Sequence, residues 1–153
     1  MEQIFQATLT LGTMAVTVRG VEYFYTTVED RPGEAYGLLS HLAEAGVNLL
    51  AFSAIPFGPE HTQLVLFPEN TSLLTDVAQK ASLTLTGPQC AFLVQGDDRL
   101  GAFADIHRML SDAQVNVYAS SGVTDSRGGF GYVLYVRPED YRKAAAVLGA
   151  GAE

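Results

Sequence analysis

A repeat restricts the fold more than any other feature of the chain. Asp30-Arg31-Pro32-Gly33 returns 68 residues later as Asp98-Arg99-Leu100-Gly101. The same offset carries Leu42 onto Leu110, Ala45 onto Ala113, and Val47-Asn48 onto Val115-Asn116. It also carries Ala51 onto Ala119 and Ser53 onto Ser121. Beyond that point the second copy is two residues longer, so Pro68-Glu69 meets Pro138-Glu139. The extra residues fall in Asp125-Ser126-Arg127-Gly128-Gly129, a turn cluster where an insertion is tolerated. A chain built this way holds one supersecondary unit twice.

The first copy reads as β-α-β-β-α-β. Glu22 to Val28 is rich in aromatic and β-branched residues and predicts a strand. Asp30 to Gly33 is a turn. Ala35, Leu38, Leu39, Leu42 and Ala43 recur at helical spacing, and Gly46 ends that helix. Asn48 to Ile55 and Thr62 to Phe67 predict strands around a loop at Pro56 to Glu60. Thr71 to Ala81 predicts a second helix, and Leu83 to Thr86 a short fourth strand.

The second copy predicts Cys90 to Gln95, Leu100 to Ala113, Val115 to Ser121, Phe130 to Val136 and Tyr141 to Leu148. After it, Gly149-Ala150-Gly151-Ala152-Glu153 is not strand-like, so its fourth strand is missing. Alternating stretches at Ile4 to Leu11 and Met14 to Val18 are available to fill that position and cover an open edge. The expected division is an N-terminal strand segment at 1–20, one unit at 21–87 and a second at 88–153. Gly87-Pro88-Gln89 reads as a short linker.

Composition narrows the function. The chain has 153 residues, 48% hydrophobic and 17% charged, which is the balance of a globular protein. Seventeen acidic side chains against nine basic ones give a formal charge of -8. That balance argues against nucleic acid and anionic membranes, both of which need clustered Lys and Arg. Cys90, alone of its type, allows no intrachain disulfide and no cysteine metal cluster, and it reads as a small buried hydrophobe. His41, His61 and His107 lack metal-ligand spacing and read as surface or packing residues. Tyr23, Phe24, Tyr25, Tyr132 and Tyr135 are expected to fill sheet faces. Ser120-Ser121-Gly122 lacks the pattern of a nucleophile elbow, and Gly128-Gly129-Phe130-Gly131 reads as a hairpin turn. No catalytic residue, cofactor or metal site is expected. With no basic N-terminal start and no apolar run near ~20 residues, the expected location is cytoplasmic.

Asp-Arg-Pro-Gly before the first helix and Leu42-Ala43-Glu44-Ala45-Gly46-Val47-Asn48 before the second strand resemble the ACT domain. The second copy matches with Leu100 in place of the proline and Gln114 in place of the glycine. The resemblance covers about residues 21 to 148. It implies an α+β fold of two ferredoxin-like βαββαβ units, with antiparallel sheets and helices on one face. It also implies a regulatory protein that binds a free amino acid, forms a homodimer and acts in trans on a partner enzyme or regulator. Carried over by position, the ligand residues are Asp30, Arg31, Gly33 and Asn48, with Asp98, Gly101 and Asn116 in the second copy. Members that bind serine-type ligands carry Asn or His where this chain has Asp30 and Val28, so the resemblance does not name the amino acid.

Elementary chemistry agrees. A helix start offers unpaired N–H groups to a carboxylate, and glycine removes the Cβ that would block approach. An aspartate pairs an ammonium, and an asparagine both donates and accepts. Plainer roles exist for each. Asp30 and Asp98 can be helix N-caps, Gly33 and Gly101 can serve tight packing, and Asn48 and Asn116 can bond a turn backbone. Duplication copies structural and functional residues alike, so repetition does not choose. The alternative function is an assembly module that needs no ligand. An enzyme on the same scaffold would need a convergent acid, base and nucleophile, and none is visible.

Overall fold

Turn chemistry punctuates the chain as the repeat requires. The computed structural model describes residues 6–11 and 14–150. Ile4 and Phe5 of the first alternating stretch, and the tail at 151–153, lie outside the described residues. In chain order the elements are β1 (Gln6–Leu11), β2 (Met14–Glu29), α1 (Glu34–Glu44), β3 (Leu49–Pro56) and β4 (His61–Pro68). Then come α2 (Thr71–Lys80), β5 (Thr86–Asp97), α3 (Ala102–Asp112), β6 (Val117–Thr124) and β7 (Gly129–Val136). A 3-10 turn at Pro138–Asp140 leads into α4 (Tyr141–Val147). No helix among the described residues is long and apolar enough to cross a membrane.

The chain divides into two compact units. One is Glu22–Gln89, and the other joins the described residues up to Val21 with those from Cys90 on. Each is a ferredoxin-like α+β unit. In the 22–89 unit the antiparallel order is β3, β4, β2, β5. Phe24 faces Leu66 and Glu29 faces His61 across β2 and β4. The Tyr23 hydroxyl donates to Oε1 of Gln89 at 2.8 Å, and the Thr26 hydroxyl donates to the Thr84 carbonyl at 3.0 Å. Phe24 and Leu66 from the sheet meet Leu42 of α1 and Leu74 of α2 in one cluster, so both helices cover the same face. Leu42, Leu66 and Leu74 are fully buried, each contributing about 1.5–3 kcal/mol of transfer free energy.

The other unit repeats this plan. Its order is β2, β5, β7, β6, with Met14–Val21 supplying the strand beside β5 and β1 pairing with β2. Gly96 lies so close to β2 that a Cβ there would stand 2.7 Å from a Val16 methyl. Phe92 faces Leu134, Val94 faces Tyr132, and Gly96 faces Phe130. These strand residues pack with Val16, Val18, Ile106, Leu110, Ala144 and Leu148.

Four expectations need correction. The fourth strand of the first copy begins at Thr86, not Leu83, and it continues unbroken through Gly87-Pro88-Gln89 into the second copy's first strand. The supposed linker is therefore strand. Pro88 is tolerated because β5 is the outer strand of its unit there. Likewise β2 runs continuously from Met14 to Glu29, through the Arg19-Gly20 interruption in the alternation. Cys90 is exposed, since burial along β5 starts at Ala91. In each case hydrogen bonding to a neighbouring strand, or cover by a helix, decides what local composition does not. Of the sheet aromatics, Tyr23, Phe24 and Tyr132 are buried, and Tyr25 and Tyr135 half-buried.

Candidate ligand-binding site

The two Asp-Arg-X-Gly loops fold alike. Each enters its helix through a left-handed glycine at the N-cap, Gly33 at φ 91° and Gly101 at φ 84°, and neither helix has a side-chain cap. A Cβ built on either glycine would meet nothing within 4 Å. Tight packing is thus not what these glycines serve, and the positive φ is what excludes other residues. Asp30 and Asp98 lie three positions upstream, so neither is an N-cap. Their backbone N–H groups tie each loop to a facing hairpin, Asp30 to the Glu60 carbonyl at 2.9 Å and Asp98 to the Gly128 carbonyl at 2.7 Å. Both carboxylates are on exposed residues. With no cap, the N–H groups of Ala35 and Tyr36 at the start of α1 have no helical carbonyl behind them.

The arginines are engaged within their loops. Arg31 bonds Oε2 of Glu29 at 2.8 Å and Oε1 of Glu34 at 2.7 Å. The hydrogen bond to Glu34, then the negative charges of Glu29 and Glu34, hold its guanidinium above the ordinary range. Arg99 bonds the Asp105 carboxylate and donates to the Leu100 carbonyl. Arg31 is therefore a brace of the loop.

The asparagines are elsewhere. Asn48 donates from Nδ2 to Oε2 of Glu69 at 3.0 Å, and its carbonyl accepts the Glu69 N–H at 2.9 Å. This places it at the far end of β4 from Asp30. Asn116, exposed, stands just before β6, whose Val117 faces Val136 at the end of β7 away from Gly128. Seven residue steps along β4 are roughly 23 Å. Within one unit the structure thus brings Asp30, Arg31 and Gly33 together and leaves Asn48 out of reach.

Two concavities flank the first loop. A smaller one of about 370 Å³ is lined by Glu29, Asp30, Arg31, Pro59, Glu60 and His61. A larger groove of about 760 Å³ runs along α1, with Val28, Pro32, Gly33, Gly37, His41 and Ser82 among its walls. Sequence reasoning gave Gly37 and Ser82 no role, and it gave His41 only a surface or packing one. A glycine inside a helical run was the available signal for the first of these. Among the described residues no group of three or more His, Cys, Asp or Glu is placed to hold a metal ion.

No protein-family model and no curated protein matches this chain. Solved structures do. Protein BT0572 from Bacteroides thetaiotaomicron superposes with a TM-score of 0.73 at 15% identity, over 85% of this chain and 87% of that one. The regulatory subunit of aspartate kinase from Thermus thermophilus, in its ligand-free form, superposes with a TM-score of 0.60 at 14% identity, over 92% and 98%. The regulatory subunit from Thermus flavus gives 0.57 at 16% identity, over 90% and 93%. At these identities the likeness establishes the fold.

Proposed function

We propose that this chain is a regulatory protein that binds a free amino acid through ACT-like units and acts as a homodimer on a partner enzyme or regulator, with no catalysis of its own. One observation carries the reading. The loop before α1 sets an exposed aspartate next to an uncapped helix start entered through a left-handed glycine. An uncapped start suits a carboxylate, and the aspartate suits an ammonium. The whole-length likeness to regulatory subunits of aspartate kinase supports a regulatory role. The separation of Asp30 from Asn48 adds a condition. A ligand that uses both takes them from different protomers, which couples binding to assembly.

The test is thermal unfolding of the purified chain against each common amino acid at millimolar concentration. A ligand at 100 times its Kd adds about 2.7 kcal/mol of stability, a shift of several degrees. A shift with one amino acid or a related group, lost in Asp30→Ala, is the expected result. No shift with any amino acid rejects the reading in favour of an assembly module.

A further inference from the structure

The groove along α1 is open for a reason that packing does not supply. Gly37 sits in the interior of α1, where glycine weakens a helix. A Cβ there would meet nothing within 4 Å, so no neighbour demands the glycine. The space above it is the groove itself, floored by half-buried Val28, Leu38 and Leu83. Its upper end is Gly33, the residue that opens the uncapped helix start. Its volume of about 760 Å³ lies within the usual range of small-molecule sites.

The second copy carries other residues at the corresponding helix positions. At the repeat offset Gly37 becomes Asp105, whose carboxylate is bound by Arg99. Leu38 becomes Ile106, fully buried, and His41 becomes Met109, packed on the core. The two copies thus share the loop and differ along the helix that follows it.

We infer that the groove receives the side chain of an apolar amino acid whose charged head lies at the Asp30–Gly33 loop, and that each chain holds one such site. This rests on the amino-acid reading above and names the ligand class for that loop. Side chains with at least three carbons cover Val28, Leu38 and Leu83, and the missing Cβ of Gly37 lets them lie against the helix. The charged or titratable groups on the groove's walls are Glu34, whose carboxylate already bonds Arg31, and the exposed His41.

Gly37→Leu tests the inference, because it fills the groove while improving helix propensity, so the variant folds. Wild type and variant are titrated by calorimetry with leucine, isoleucine, valine, methionine and phenylalanine, and with aspartate, lysine and serine. The expected result is binding of apolar members at one per chain, weakened at least about tenfold in Gly37→Leu. Binding that survives Gly37→Leu unchanged overturns the groove and leaves amino-acid sensing standing. Preference for a charged or hydroxylated member, or two equal sites per chain, overturns it in the same way. Silence with every amino acid rejects the sensing reading itself.

Discussion

Asp30 and Asn48 stand at opposite ends of strand β4. The N–H of Asp30 bonds the Glu60 carbonyl just before the strand, and Asn48 bonds Glu69 just after it. A ligand of amino-acid size spans a small part of that length.

A mixed dimer reads this out. If the ligand joins Asp30 of one protomer to Asn48 of its partner, Asp30→Ala and Asn48→Ala each abolish binding alone. Co-purified together, the mixed dimer regains one intact pairing, and calorimetry should find half the wild-type sites. Binding retained in full by Asn48→Ala alone places the ligand within one protomer, without Asn48.

Backbone conformation predicts stability changes of opposite sign. Gly33→Ala forces a Cβ into left-handed space and should cost about 1–2 kcal/mol, although nothing crowds the new atom. Gln114 holds φ 59° at the position where the first copy has Gly46 at φ 79°. Gln114→Gly should therefore stabilise by up to about 1 kcal/mol. Urea unfolding measures both. Equal signs would show that side-chain contacts outweigh the backbone at one of the two.

The repeat also predicts matched core costs. Leu42 and Leu110 are equivalent, and each is fully buried in its own unit. Either leucine replaced by alanine should lose about 2–5 kcal/mol. Hydrogen exchange should place each loss in its own unit. A loss below 1 kcal/mol at either site, on the same scale, would mean that the cavity collapses there.

Tyr135 provides a pH signature. Burial first, then the negative charge of Tyr118, pushes its hydroxyl up to about 12 from 10.0. The rings are 6.4 Å apart. A folded value above the unfolded one means that this contribution to stability is present below pH 10 and is lost as pH rises towards 12. Absorbance titration should show a late-ionising component that disappears in Tyr135→Phe and titrates somewhat earlier in Tyr118→Phe. A Tyr135 that ionises with the exposed tyrosines refutes it.

The duplicated βαββαβ order, the helices and the loop glycines were legible from residue spacing, because each reflects a local demand. Apolar residues must line one helix face, and a positive φ admits glycine at low cost. The continuity of β2 and β5, the strand at Gly87-Pro88-Gln89 and the exposure of Cys90 were not legible. Strand pairing and helix cover set them, and both come from residues distant in sequence. The separation of Asp30 from Asn48 is of the same kind. Sequence alone marks both as polar residues at the edges of an element. Only the fold, by running α1 back along the sheet between them, sets them at opposite ends of one strand. The open groove at Gly37 was likewise decided by tertiary packing, since an empty volume is a property of what surrounds it.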